Sequence, residues 1–402
     1  MTVTVLRGVQ VLDVETGELN PRGNLVIEGE RIADPAARTY DGDAEVFDFD
    51  GAVVMPGLFD CHVHLTAVSA DLIGLTDESP QYATAYAIGT MREMLRKGFT
   101  TVRDVGGADF GLAQAVQDGL IPGPRVLFGG KAISQTGGHG DMRKRGRNVH
   151  DPHPCGAGIG MVCDGVDEVR RGVRSMLRTG ADHIKIMVSG GVASPTDRID
   201  STQYSDEEIS AAVAEAAAAN RYVAAHAYDS KAINRAVRLG VRSIEHGNLL
   251  DESSPPVFRE HGAYYVPTII ATTSYLDGEG INEVEPEVRE KIEVVAYKGI
   301  EALRIAHEGG VQIAFGTDLL GAANKVQMKE FDLRARVQDP IDIIRSATQI
   351  SARLVQRDHE LGLIRRGYVA DLLVLERDPR GDITAISATS PVAVFTRGRR
   401  AT

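Results

Sequence analysis

The sequence predicts an α/β fold, a (β/α)8 TIM barrel carrying a small β-sandwich built from both termini. Three observations predict it. Short apolar runs alternate with helix-like stretches through the middle of the chain, the two ends are turn-rich and strand-like, and metal-ligating residue types recur at the ends of the central runs.

From Val3 to about Asp50 the pattern is β-like. Val9-Gln10-Val11-Leu12-Asp13-Val14 and the run 24–32 are strand candidates with glycines supplying the turns. The far C-terminus has the same character in the runs 367–375 and 391–395. Neither end alone buries a core, so the economical arrangement pairs residues 1–54 with 361–402 in one small β-sandwich. Residues 55–360 are then the inserted barrel. Within it eight strands are expected, at 53–65, 100–105, 125–133, 183–188, 222–226, 243–246, 263–268 and 311–317. The helix after the fourth is explicit: Ser205 is followed three residues later by Glu208, a capping box, and an alanine-rich run leads to Asn220 as the stop. Eight parallel strands alternating with helices close into a barrel whose catalytic groups lie at the C-terminal strand ends.

Composition narrows the function. The 402 residues are 43% hydrophobic, enough for one large and one small domain. A formal net charge of −12 and a pI near 5.4 argue against a nucleic-acid partner. The run Arg143-Lys144-Arg145-Gly146-Arg147 is too short to reverse this. Cys61, Cys155 and Cys163 are too few and too uneven for a disulfide framework, which fits a reducing compartment with cytoplasm as the expected location. No export signal or membrane span is read. The glycine-rich 156–160 follows no clear strand and opens no helix, so it is not a dinucleotide loop.

The chemistry is carried by His62 and His64. They stand one residue apart at the end of Val54-Met55-Pro56-Gly57-Leu58-Phe59-Asp60-Cys61-His62-Val63-His64, so on a strand both imidazoles face one side, as a divalent cation requires. Lys185, His226, His246 and Asp318 follow, each at the end of its own apolar run. Two ions held close together need a bridging anion. Lys185 supplies one only if its amine is uncharged and captures carbon dioxide as a carbamate, which burial favours. Asp318 is of the right type for general base and general acid work. Two oxyanion donors are candidates: Tyr228, two residues beyond His226 and on its face, and His139, in the glycine-rich phrase Gly137-Gly138-His139-Gly140 after the third strand.

With the His-x-His pair, the strand-four lysine, the histidines of strands five and six and the strand-eight aspartate all present, the chain resembles the amidohydrolase superfamily over essentially its whole length. The phrases around His139, Tyr228 and Val188-Ser189-Gly190-Gly191-Val192 are similar to those of the Xaa-Pro and Xaa-Arg/Lys dipeptidases and the ochratoxin-hydrolysing amidases. This resemblance implies two divalent ions, zinc being expected. His62, His64 and Asp318 would hold the buried ion, His226 and His246 the more exposed one, with carbamylated Lys185 and a hydroxide between them. It implies a homo-oligomer and hydrolysis of a dipeptide or N-acyl amino acid by the bridging hydroxide. His139 and Tyr228 would contact the substrate's carbonyl or terminal carboxylate. A substrate carboxylate needs a cation or donors, and Arg143, Lys144, Arg145, Arg147 and Arg198 lie in loops expected at the barrel mouth, Arg143 and Arg198 being the ones put forward. The alternative reading is a mononuclear ring hydrolase or deaminase of imidazolonepropionase type, against which the presence of Lys185 argues.

Overall fold

The computed structural model describes residues 2–37, 43–143, 146, 158–194, 197–276, 278 and 286–402. The architecture is a mixed α/β barrel with a β-sandwich beside it.

Eight parallel barrel strands run in chain order: β1 (Leu58–Val63), β2 (Phe99–Asp104), β3 (Arg125–Phe128), β4 (Ile184–Met187), β5 (Val223–Asp229), β6 (Ser243–Leu249), β7 (Tyr264–Val266) and β8 (Gln312–Ile313). β1, β2 and β3 form one ladder, and β4 to β8 continue a second. Asp182 N–H joins the ladders by donating to the Phe128 carbonyl. The ring closes where Cys61 N–H donates to the Phe315 carbonyl at 2.7 Å and Asp318 N–H to the His62 carbonyl at 2.8 Å. Closure brings the last ligand candidate beside the first.

Two expected strands are divided. The run 53–65 contributes Val53–Pro56 to the small sheet, antiparallel to Leu372–Leu375, before β1 begins. The run 125–133 breaks after β3, because Gly130 turns into the left-handed region at φ +74°, and resumes as Ala132–Ser134. That segment pairs with Gly160–Val162 on one side and with β4 on the other. In the small sheet, Val3–Asp13 lies between Gly23–Glu28 and the Val53–Pro56 strand, and Leu372–Leu375 continues the order to Ala393–Thr396. The expected run 24–32 is likewise two strands, Gly23–Glu28 and Arg31–Ala37. Leu6, Leu25, Ile27 and Val54 share one buried cluster with Leu372, Val374 and Phe395, so the first and last parts of the chain seal each other.

The capping box forms as expected, with the Ser205 hydroxyl accepting from the Glu208 N–H and the Glu208 carboxylate accepting from the Ser205 N–H. Asn220 takes φ +55° just past that helix. Among the described residues no helix is long and apolar enough to cross a membrane.

Candidate metal centre and active-site pocket

The barrel brings the six candidate ligands to one pocket. His62, His64, Lys185, His226, His246 and Asp318 all line it, with His139 and Tyr228. The β4–β5 and β5–β6 registers set Met187 beside His226 and Ala227 beside His246, so His226 lies two residues beyond the partner of Lys185 and His246 one beyond the partner of His226. His62 Nε2 and His64 Nε2 lie 3.4 and 3.3 Å from Asp318 Oδ1, and His246 Nδ1 is 3.7 Å from Asp318 Oδ2. His62, His246 and Asp318 offer ligand atoms within 4.8 Å of one another. The His226 and His246 rings are 4.6 Å apart, centre to centre.

Two of these positions depart from ordinary backbone. His246 has φ +73° and Asp318 φ +53°, left-handed values that cost a side-chain-bearing residue about 1 kcal/mol or more each. At β6 the departure lets consecutive residues reach inward. Glu245 bonds the His62 ring while His246 packs against it at 4.7 Å.

Each imidazole has one nitrogen tied to an outer partner. His62 Nδ1 meets Glu245 Oε2 at 2.8 Å, His64 Nδ1 the Gly106 carbonyl at 2.7 Å, and His246 Nδ1 the Thr268 hydroxyl at 2.8 Å. His226 instead turns Nε2 to the Gly190 carbonyl at 3.1 Å. Such partners fix tautomer and ring orientation, leaving Nε2 of His62, His64 and His246 and Nδ1 of His226 for a shared centre.

Electrostatics agree with that role. Burial holds His62, His226 and His246 well below the usual histidine pKa, as neutral ligands must be. Burial also opposes charge on His64, but the hydrogen bond and charge of Asp318, with Asp104, carry its pKa upward. For Asp318 burial works against ionisation, and the His62 and His64 rings more than offset it. Lys185 is 2% exposed, burial brings its pKa down to about 8 against the pull of Glu245, and its Nζ has no hydrogen-bond partner among the described residues. A buried amine with no partner among the described residues, set among imidazoles and a carboxylate, fits a metal-binding donor set.

His139 reaches the pocket from the loop after the Ala132–Ser134 strand, its ring stacked 4.1 Å from that of His226. Tyr228 is buried, edge-on to His226 at 5.0 Å and stacked on His246 at 5.5 Å. The two arginines lie elsewhere. Arg143 is forked onto Asp141, Nε to Oδ1 and Nη2 to Oδ2 at 2.7 Å each, and Arg198 is forked onto Asp200 with its side chain 82% exposed. Neither belongs to the pocket wall. Lys144, Arg145 and Arg147 fall outside the described residues. Sequence reasoning missed Glu245, Thr268 and the apolar wall of Leu72, Met142, Ile159 and Leu320. The Glu-His pair in Ile244-Glu245-His246 was the available signal for the first.

A profile described as the amidohydrolase family matches residues 53–401. The chain belongs to the amidohydrolase family. The amidohydrolase fold and reaction class follow, a barrel with a β-sandwich that hydrolyses amide or peptide bonds. The ochratoxinase of Aspergillus niger is 35% identical over 362 residues, covering 86% of this chain and 75% of that protein. Among solved structures, a prolidase complexed with N-methylphosphonate-L-proline is 46% identical over 99% of both chains, with a TM-score of 0.96. A Xaa-Pro dipeptidase with methionine bound in its active site is 31% identical over 99% of both chains, with a TM-score of 0.89.

Proposed function

We propose that this amidohydrolase is binuclear and cleaves the amide bond of dipeptides or N-acyl amino acids. The observation that carries the reading is Lys185: a buried amine without a hydrogen-bond partner among the described residues, in a pocket walled by five imidazoles and Asp318. The relatives, an ochratoxinase, a prolidase and a Xaa-Pro dipeptidase, support the amide substrate.

His62, His64 and Asp318 would hold one ion and His226 and His246 the other, zinc suiting imidazole and carboxylate donors. The neutral Lys185 amine bonds through Nζ to the carbon of carbon dioxide, loses a proton and becomes a carbamate with two oxygens to offer between the sites. When bound, the ions supply Lewis acidity toward the scissile carbonyl and make water acidic enough to attack at neutral pH.

The remaining work falls to the chain itself. Asp318 takes the proton of the attacking water and delivers it to the departing amine, general base first and general acid second. Tyr228 donates to the carbonyl oxygen as negative charge develops there. His139 meets the substrate opposite. The described pocket wall offers its polar contacts to a substrate carboxylate through His139 and Tyr275, while Leu72, Met142 and Ile159 exclude water.

A zinc-loaded preparation tested on a panel of N-acyl amino acids and dipeptides, read by amine release, is expected to turn over and to contain about two zinc ions per chain. One ion per chain with turnover confined to ring amidines or lactams would replace this reading with the mononuclear one.

A further inference from the structure

We propose that Asp197, acting through Ser194, fixes His139 with its proton on Nδ1 and its Nε2 toward the substrate, so that Asp197 and Ser194 are positioning residues for the pocket. The inference rests on the proposed reading of the pocket only for its kinetic consequence.

Asp197 lies in the segment after β4, and its side chain is 3% exposed. Oδ1 accepts from the Ser194 hydroxyl, while Oδ2 accepts from Gly191 N–H at 3.1 Å and from Gln203 Nε2 at 3.0 Å. Lys291, on the helix Pro286–Glu308, stands 3.7 Å from Oδ1. Its Nζ also donates to the carbonyls of Asp197 at 2.8 Å and of Gly191 and Ser194 at 3.2 Å each, which ties this segment to the helix. Although burial opposes its charge, the His139 ring, whose Nδ1 stands 3.7 Å from Oδ2, the Ser194 hydroxyl and the nearby Lys291 keep the Asp197 pKa below the usual value. An ionised carboxylate is an acceptor only.

The direction of the hydrogen bonds follows from counting protons. Ser194 has one hydroxyl hydrogen, and Asp197 takes it. The Ser194 oxygen also lies 2.8 Å from His139 Nδ1, so in that contact serine accepts and Nδ1–H donates. Nε2 has no hydrogen-bond partner among the described residues and is the nitrogen left for the pocket that His139 lines.

The ring is also closely seated. His226 stacks on it at 4.1 Å. A Cβ added to Gly191 would come within 2.1 Å of Cε1 and 2.3 Å of Nδ1, so glycine is what permits the ring its place. Gln203 completes the seat, since its Oε1 accepts from the His139 backbone N–H at 2.9 Å. An imidazole without these contacts would divide between two tautomers and several orientations, and the substrate would meet no single nitrogen.

The test joins spectroscopy to a mutant cycle. In zinc-loaded protein labelled with 15N-histidine, with the His139 resonances identified by their loss in H139Q, Nδ1 is expected to show the shift of a protonated nitrogen. D197N and S194A are expected to move that signal toward a mixture of tautomers. Nε2–H as the dominant neutral form in the unaltered protein would overturn the proposal, whether or not any amide is found to be a substrate. With N-acetyl-L-phenylalanine, or the best-hydrolysed member of the amide panel, D197N is expected to lower kcat/KM by about tenfold, and by less than about twofold when H139Q is already present. Zinc content is expected to stay unchanged. Equal losses in both backgrounds would make Asp197 merely structural and overturn the inference. Should D197N fail to fold, S194A, which leaves the carboxylate and Lys291 in place, is read by the same cycle.

Discussion

Glu245 Oε2 stands 2.8 Å from His62 Nδ1, and the same carboxylate accepts both short contacts of the Arg103 Nη2, at 2.7 and 2.8 Å. All three side chains are buried. Burial opposes the Glu245 charge, but Arg103, followed by Lys185, holds its pKa below the usual value. A carboxylate behind a ligating imidazole fixes its tautomer and raises its basicity.

Glu245→Gln is therefore expected to weaken zinc binding about 10- to 100-fold, read by competition with a chromophoric chelator. The amide still accepts from His62, but Arg103 loses its counter-charge in a dry interior, and breaking such a pair costs about 3–5 kcal/mol. A fall in thermal midpoint is expected alongside the loss of affinity. Zinc affinity unchanged in a folded variant would remove Glu245 from the support of the site.

Why Glu245 escaped the sequence while His246 did not is a matter of backbone. Alternation along a strand puts adjacent residues on opposite faces, and only the φ +73° at His246 lets both reach inward. Long-range convergence of His62, His64, Lys185, His226, His246 and Asp318 was legible because each ends an apolar run, and a barrel gathers strand ends. The arginines were not legible. Arg143 with Asp141 and Arg198 with Asp200 are pairs two residues apart in loops, satisfied locally, and no periodicity distinguishes them from residues aimed at a pocket. The fold was read more fully than the loops, since hydrophobic period fixes strands and helices whereas loop side chains answer to their nearest partner.

Lys185→Ala is expected to remove most activity and to lower zinc content, with short carboxylic acids restoring part of the rate by supplying the missing oxygens. Two bound ions and full turnover in that variant would end the carbamate reading. The pH dependence of carbon dioxide uptake has a definite sign. Burial lowers the Lys185 pKa to about 8, so in metal-free protein about one-tenth of the amine is neutral one unit below that value and about nine-tenths one unit above. Uptake of labelled bicarbonate by metal-free protein is expected to rise between about pH 7 and 9 and to vanish in Lys185→Ala. A flat profile would show that the amine is not the limiting acceptor.

Asp318→Asn separates chemistry from folding. Asparagine tolerates the left-handed conformation that φ +53° imposes at this position, so the barrel closure through the Asp318 N–H survives the substitution. The amide cannot carry a proton from water to amine. Turnover is expected to fall by about a thousandfold or more with the thermal midpoint within a few degrees of the parent. Hydrolysis at the parent rate would exclude Asp318 from proton transfer.

Tyr228→Phe removes one oxygen and keeps the ring that packs 5.5 Å from His246 and 5.0 Å from His226. The Tyr228 backbone N–H, donated to the Ser189 hydroxyl at 3.1 Å, is untouched. Metal geometry and stability should therefore persist. If the hydroxyl stabilises charge that appears only in the transition state, kcat and kcat/KM fall together, by more than about tenfold. Were it instead to hold the substrate equally before and during reaction, KM would rise with kcat unchanged. Steady-state constants for the variant and its parent on the same N-acyl amino acid decide between these, and a rise in KM alone would move Tyr228 from the oxyanion to substrate binding.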